Sequence, residues 1–354
     1  MTFRPFQYHA PATLDEACAH LAEHGPEARV LAGGTDLLVS LKQDLWRPRH
    51  LVDVRGLPEL LGVLPLPDGG LRLGAARALA EVIAAPGVRA GCPLLAEAAG
   101  SVAAPTHQAM GTLGGNLLLD TRCWYYNRSR WQRLAVGGDC FKLDGTACHV
   151  AKGVRDCYAT FTGDTAAALL VLGASARVTG PSGGRTVPLA GLYTGDGKAP
   201  FALRAAEILE AILLPPPPGH FHGAYRKFRL RQALDFPLAG LAVGAQFRAG
   251  TPICEEMRLA CTGVDTAPRR LPEAEAVFAG REIEEPLVEG AAAIAMRAAR
   301  PVRNMASTTR HRRAMLGHLC REGLRAVRAA RARELAATGD GRLGTGDPQG
   351  EPAP

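Results

Sequence analysis

Two glycine pairs, each set between a short apolar run and the start of a helical pattern, constrain this chain more than any other feature. In ARVLAGGTDLLVSLKQ the pair is Gly33 and Gly34; in GTLGGNLLLD it is Gly114 and Gly115. A strand, a glycine turn and a helix start let backbone N–H groups come close to a phosphate, because no Cβ stands in the way. A single turn of this kind is as readily an ordinary tight connection. Two of them, flanked by Thr35 on one side and by Thr112 and Asn116 on the other, can clasp one extended diphosphate ligand from both sides. A formal GxGxxG at 339–344 has no strand before it and no helix after it, and reads as chance composition.

The length, 354 residues, points to two or three domains rather than one core. A net charge of +7 raises the question of nucleic acid, but the excess sits largely in RAARPVRNMASTTRHRRAM and LRAVRAARARE, with few aromatics between the arginines. A solvated helix face or a subunit-docking surface fits better. No apolar run approaches the ~20 residues of a membrane helix, which leads to an expectation of a cytoplasmic protein with no membrane or nucleic-acid partner. Thiols there stay reduced, so clustered cysteines point to metal or redox chemistry before disulfides.

The pattern divides into a small α/β unit over 1–55 and a second unit over 56–220, ended by the proline run of LPPPPGH. Antiparallel strands and helices follow over 221–325. TTRHRRAMLGHLCREGLRAVRAARARELAA has a helical pattern, but residues 326–354 are expected to be a disordered tail beyond the folded domains, Gly/Pro-rich at its end.

The second unit is interrupted by TRCWYYNRSRWQRLAVGGDCFKLDGTACHVAKGVRDCYAT, residues 121–160, which holds four of the nine cysteines. Cys123, Cys140, Cys148 and Cys157 are separated by 16, 7 and 8 residues, and no two form the close pair usual in structural zinc sites. A loop wrapped around a cluster has no need of such pairs, since four thiolates can come from four turns. Trp124, Tyr125, Tyr126, Trp131 and Tyr158 are expected to pack this segment and keep water out, and His149 to lie outside the ligand set. Cys18, Cys92, Cys254, Cys261 and Cys320 sit singly in apolar runs and read as core.

Taken with GDTAAALLVLGA and YRKFRLRQALDFPLAGLAV downstream, VLAGGTDLLV and GTLGGNLLLD resemble the FAD-binding subunits of the molybdenum hydroxylases, the family of xanthine, carbon monoxide and aldehyde dehydrogenases. The resemblance runs from about residue 3 to 325. It implies an α+β chain with a vanillyl-alcohol-oxidase-type flavin fold, in which FAD lies between two α/β subdomains and a C-terminal α+β domain closes over it. It assigns Val30, Leu31, Ala32, Gly33, Gly34, Thr35, Asp36 and Leu37, with Thr112, Leu113, Gly114, Gly115 and Asn116, to the FAD pyrophosphate. Asp164 goes to the ribose or ribityl chain and Lys227 near the flavin. From its position Asp164 is equally suited to cap the helix of TAAALLVLGA, and Lys227 to snorkel at the surface. The family commonly carries Arg-Asn shortly before the second glycine pair, where this chain has Gln108 and Ala109.

Most flavin subunits of the family join GGNLLLD to GDTAAALL by a few residues, so residues 118–160 are an insertion. With CWYYN, CFKL, CHV and CYA around its cysteines, it resembles the β subunit of 4-hydroxybenzoyl-CoA reductase. That likeness implies a [4Fe-4S] cluster on Cys123, Cys140, Cys148 and Cys157. It also implies a molybdenum-cofactor large subunit and a two-[2Fe-2S] small subunit as partners in a dimerised heterotrimer, fed by a ferredoxin-like donor, with no catalytic residue in this chain. Two other readings stand beside it: the flavin subunit of an aldehyde, xanthine or aromatic hydroxylase working oxidatively, and a zinc-stapled binding module with no redox role.

Overall fold

The computed structural model describes residues 3–231 and 233–340. Its first unit is a parallel sheet of β1 (Gln7–His9), β2 (Ala28–Leu31) and β3 (His50–Asp53) in the order β1-β3-β2. Parallel neighbours need crossovers, and α1 (Leu14–His24) and α2 (Leu37–Lys42) supply them. Helix α1 starts where the Thr13 hydroxyl accepts from Glu16 N at 3.2 Å and stops at Gly25, whose φ is 51°. Its buried residues, Leu14, Ala17, Cys18 and Leu21, fall at helical spacing and pack on Val52 and Val54.

The second unit is antiparallel: β4 (Val63–Pro65), β5 (Leu71–Gly74), β6 (Ser175–Gly180), β7 (Gly183–Pro188) and β8 (Ile208–Leu214), in the order β4-β5-β8-β6-β7. Its core is filled by the helix Asp164–Val171, every residue of which is buried. The third unit contains β9 (Phe221–Phe228), β10 (Ala239–Phe247), β11 (Ile253–Thr262) and β12 (Arg269–Arg270), ordered β12-β11-β10-β9, with β13 (Arg281–Glu282) on β11. Strand side chains alternate between faces. Leu241, Val243 and Ala245 of β10 therefore join the core under the C-terminal helices, while Ala242 packs into the core of the second unit. A strand buried on both faces reads as an unbroken apolar run, as AGLAVGAQF does.

The helix Thr309–Asp340 corrects the reading of 326–354 as a tail. Val327 is buried in the C-terminal core, and Arg331, 2% exposed, donates to the carbonyls of Thr251 at 2.9 Å and Arg248 at 2.6 Å. The Gly-rich end beyond 340, with most of the formal GxGxxG, lies outside the described residues. The arginines that raised the net charge are partly paired within the chain: Arg321 and Arg325 bridge to Glu289 and Glu285 of the helix Glu285–Ala298. None of the described helices is long and apolar enough to cross a membrane.

Candidate functional site

The first glycine pair lies between β2 and α2, and its two members do different work. Gly34 has φ +73°, a left-handed conformation that suits glycine. Gly33 is pressed against the chain ahead of the second pair, where a Cβ would stand 1.9 Å from the Met110 carbonyl oxygen. The second pair is no turn: Gly114 and Gly115 belong to a short helix, Leu113–Leu117, whose Thr112 hydroxyl accepts from Gly115 N at 3.0 Å. The reading of TLGGN as a glycine turn is thus corrected to a capped helix start. Gly114 is needed there because a Cβ would come within 2.9 Å of Ala75.

The two segments line one cleft of about 430 Å³, a volume suited to a cofactor. All the positions assigned to the pyrophosphate face it except Leu31 and Leu113, which are buried in the cores behind. Asp164 and Lys227 line it too. The sequence reading missed Thr162. Its hydroxyl is buried without a hydrogen-bond partner in the wall of the cleft, as expected of a group that meets a ligand there, and TFTGD carries no signal that singles it out. Ala103, also in the wall, has φ 43°, a conformation uncommon outside glycine.

Asp164 is not the cap of its helix. Gly163 holds that position, and the carboxylate instead bonds Lys227 Nζ at 2.9 Å and accepts from the Tyr225 hydroxyl at 2.7 Å. Nor does Lys227 snorkel, for its side chain is 5% exposed and it also donates to Ser101 O at 3.0 Å. Burial pushes the Asp164 carboxyl up and the Lys227 ammonium down, while their contact opposes both shifts. Asp36 is engaged as well, in a 2.7 Å pair with Arg122 at the base of the cysteine insertion. Asn116 accepts from Thr165 N at 3.0 Å and so ties the second segment to the Asp164 helix. Gln108 turns away to the carbonyls of Gly100 and Val102, at 2.9 and 2.8 Å, and so braces a loop.

A family profile described as the FAD binding domain in molybdopterin dehydrogenase matches residues 4–217, and the CO dehydrogenase flavoprotein C-terminal domain matches 223–327. The chain belongs to the FAD-binding subunits of the molybdenum hydroxylase family. It is 35% identical over 283 residues to the aldehyde oxidoreductase FAD-binding subunit of Escherichia coli, covering 77% of this chain and 86% of that one. Identity to the carbon monoxide dehydrogenase medium chain of Afipia carboxidovorans is 30% over 330 residues, 93% and 97% of the two chains. A solved carbon monoxide dehydrogenase from Hydrogenophaga pseudoflava superposes with a TM-score of 0.77 at 29% identity, covering 94% of this chain and 99% of that one. The α+β architecture is that of the family's medium chain.

In this FAD-binding subunit the insertion folds as a cage beside the cleft. Cys123, Cys140, Cys148 and Cys157 come from four turns and line one small cavity, the first two buried and the others half-buried. Backbone N–H groups of Tyr126 and Tyr125 point at the Cys123 sulfur, and that of Ala159 at Cys157. Burial pushes the Cys157 thiol up to about 11, against that N–H and the Lys142 charge. Tyr125 and Tyr126 pack the cage, and His149 covers Tyr125 with its ring centroid 4.2 Å away. Trp124 and Trp131, expected to exclude water, are instead 55% and 77% exposed. None of the nine cysteines is in a disulfide.

No three of the four sulfurs lie within 4.8 Å of one another, since the only such trio of His, Cys, Asp or Glu among the described residues is a histidine group elsewhere. A tetrahedral zinc with Zn–S bonds near 2.3 Å brings its sulfurs to roughly 3.8 Å, a tighter set than the sulfurs form here. The cage and cleft share a wall. Trp46, which lines the cleft, donates from Nε1 to the Tyr126 hydroxyl of the cage at 2.8 Å, and Tyr126 donates to Asp120 at 3.0 Å. Lys142 of the cage, 4% exposed, meets the other Asp120 oxygen at 2.8 Å.

Proposed function

We propose that this chain is the FAD-carrying electron-transfer subunit of a molybdenum-cofactor oxidoreductase and that Cys123, Cys140, Cys148 and Cys157 hold a [4Fe-4S] cluster beside the flavin. The observation that carries this reading is the wall of Trp46, Tyr126, Asp120 and Lys142 shared by cleft and cage. FAD exchanges electrons singly or in pairs and a cluster exchanges them singly, so the two groups together convert between the two modes. The chain's own part is positional. Gly33 and Gly114 let the walls of the cleft close against Met110 and Ala75, Thr162 offers a hydroxyl with no partner in the protein, and the Asp164–Lys227 pair sets a fixed dipole at the cleft. N–H groups on Cys123 and Cys157 favour thiolates there.

On this reading the reaction centre lies on a partner, namely a molybdenum large subunit acting with a two-[2Fe-2S] small subunit. The relatives named as an aldehyde oxidoreductase and as xanthine and carbon monoxide dehydrogenases favour a complex that works oxidatively. The four-cysteine insertion favours the second reading, a 4-hydroxybenzoyl-CoA reductase drawing on a ferredoxin-like donor.

Anaerobic purification with iron counting and EPR tests the cluster. About four irons per chain, lost in Cys140→Ser while FAD is retained, is the expected result; zinc, or no metal, would overturn it. The complex assayed on aldehydes with an electron acceptor, and on 4-hydroxybenzoyl-CoA with reduced viologen, separates the two readings.

A further inference from the structure

Away from cleft and cage, the first unit gathers four of the chain's ten histidines where α1 crosses the sheet. His20 and His24 stand one turn apart on α1, an i, i+4 pair whose rings share a face of the helix. The same spacing chelates zinc in helical sites. His9 ends β1 and His50 begins β3; Gln7 pairs with His50 and His9 with Val52, so the two histidines lie on one face of the sheet. The rings converge: His9 lies 4.4 Å from His20 and 5.4 Å from His24, centroid to centroid, and His24 stacks on His50 at 3.6 Å. One ring nitrogen from each of His9, His20 and His24 lies within 4.8 Å of the other two, the one such group among the described residues.

Packing does not account for the cluster. The apolar face of α1 is Leu14, Ala17, Cys18 and Leu21, and all four histidines are half-buried beside it rather than in it. Crowded imidazoles repel when protonated. His9 Nε2 meets His50 Nδ1 at 3.0 Å, the outer hydrogen bond that orients a ligating imidazole and leaves its other nitrogen for a metal. Glu16 and Glu23 stand 3.9 Å from His20 and His24 and place negative charge at the rim.

We propose that His9, His20 and His24 bind one divalent late-transition-metal ion, with His50 orienting His9. Three neutral imidazoles with a fourth, solvent position suit zinc best, and copper or nickel would also be held. Such an ion would pin α1 to β1 in the unit that carries the Gly33–Gly34 loop, at a distance from the cysteines.

Cobalt(II) separates the two metal-binding regions, because thiolate ligands give an intense near-ultraviolet charge-transfer band and imidazoles do not. Chelator-treated full-length protein with its flavin bound is expected to take up one equivalent of cobalt without that band, in wild type and in Cys140→Ser alike. His20→Gln and His24→Gln should each weaken this binding at least about tenfold without changing flavin content. Unaltered affinity in both variants, or uptake only with the thiolate band, overturns the site. Should a variant fail to fold, X-ray absorption on zinc-loaded Cys140→Ser decides: three imidazoles support the site, and fewer than two, or a sulfur shell, sink it.

Discussion

At the scale of single residues, the cleft is set by contacts that tolerate no added atom. Gly33 meets the Met110 carbonyl so closely that a methyl group would force the two wall segments apart. Overpacking of this kind costs about 1–3 kcal/mol or more, so Gly33→Ala should purify with little flavin, read from the 450 nm absorbance per chain. The buried pair of Asp164 and Lys227 behaves differently. Lys227→Met leaves a buried carboxylate without its counter-charge, held only by the Tyr225 hydroxyl, and loss of one partner of a buried pair costs about 3–5 kcal/mol. In that variant burial raises the Asp164 pKa with the Lys227 charge no longer opposing it. The raised acid is protonated in both states below the unfolded value of about 3.9, so the penalty is smallest there and grows as pH rises. Denaturant midpoints of wild type and Lys227→Met should therefore diverge between pH 4 and pH 7, and parallel curves would show that the pair is not coupled.

At the scale of elements, the far end of the helix Thr309–Asp340 is held by Arg331, through the carbonyls of Thr251 and Arg248, and by the carboxylate of Glu334. Glu334 accepts from His220 at 2.8 Å and His222 at 2.7 Å and bridges to Arg331, and these partners bring its pKa down to about 2. A depressed acid contributes stability that is fully present above its unfolded pKa, near 4.3, and is lost as pH falls toward the folded one. Loosening of the last helical turns is expected between pH 4 and pH 2, ahead of global unfolding, with Glu334→Gln showing the same loosening at neutral pH. Hydrogen exchange of residues 326–338 checks this; uniform protection down to the global transition contradicts it. The cleft itself depends on the meeting of elements, since α2 and the helix Leu113–Leu117 come from different units.

At the scale of the whole molecule, a ligand bound between the first two units couples their stabilities. Ligand at 100 times its dissociation constant adds about 2.7 kcal/mol to a protein that binds it only when folded. FAD added to the apo-protein should raise the melting midpoint of both units together, whereas a rise confined to one calorimetric transition would place the cofactor on that unit alone. The third unit shares in this coupling, because Ala242, Tyr225 and Ala260 of its sheet pack into the core of the second.

Much of this was legible in the sequence, and the limits have physical causes. Strands β2, β10 and β11, helix α1 and the two glycine segments announce themselves through periodicity and through glycine's freedom of backbone, which are local properties. The insertion announces itself through its cysteines. Locality also marks where reading along the chain stops. TLGGN looks like a turn because two glycines disfavour a helix, yet Thr112 caps it and Ala75 packs against it. Residues 326–338 have a helical pattern yet fall to the tail in a domain division made from sequence, because their partners, the carbonyls of Arg248 and Thr251 and the rings of His220 and His222, lie far away in sequence. Asp164 reads equally as a helix cap or a cofactor contact until Lys227 and Tyr225 arrive from β9. By itself the sequence determined which backbone positions had to stay bare and which thiols came together in one segment, since steric freedom and composition belong to each residue. Only the tertiary structure decided which charges are paired, that cleft and cage share a wall, and that His9, His20, His24 and His50 meet. Those are contacts between residues that the chain keeps apart.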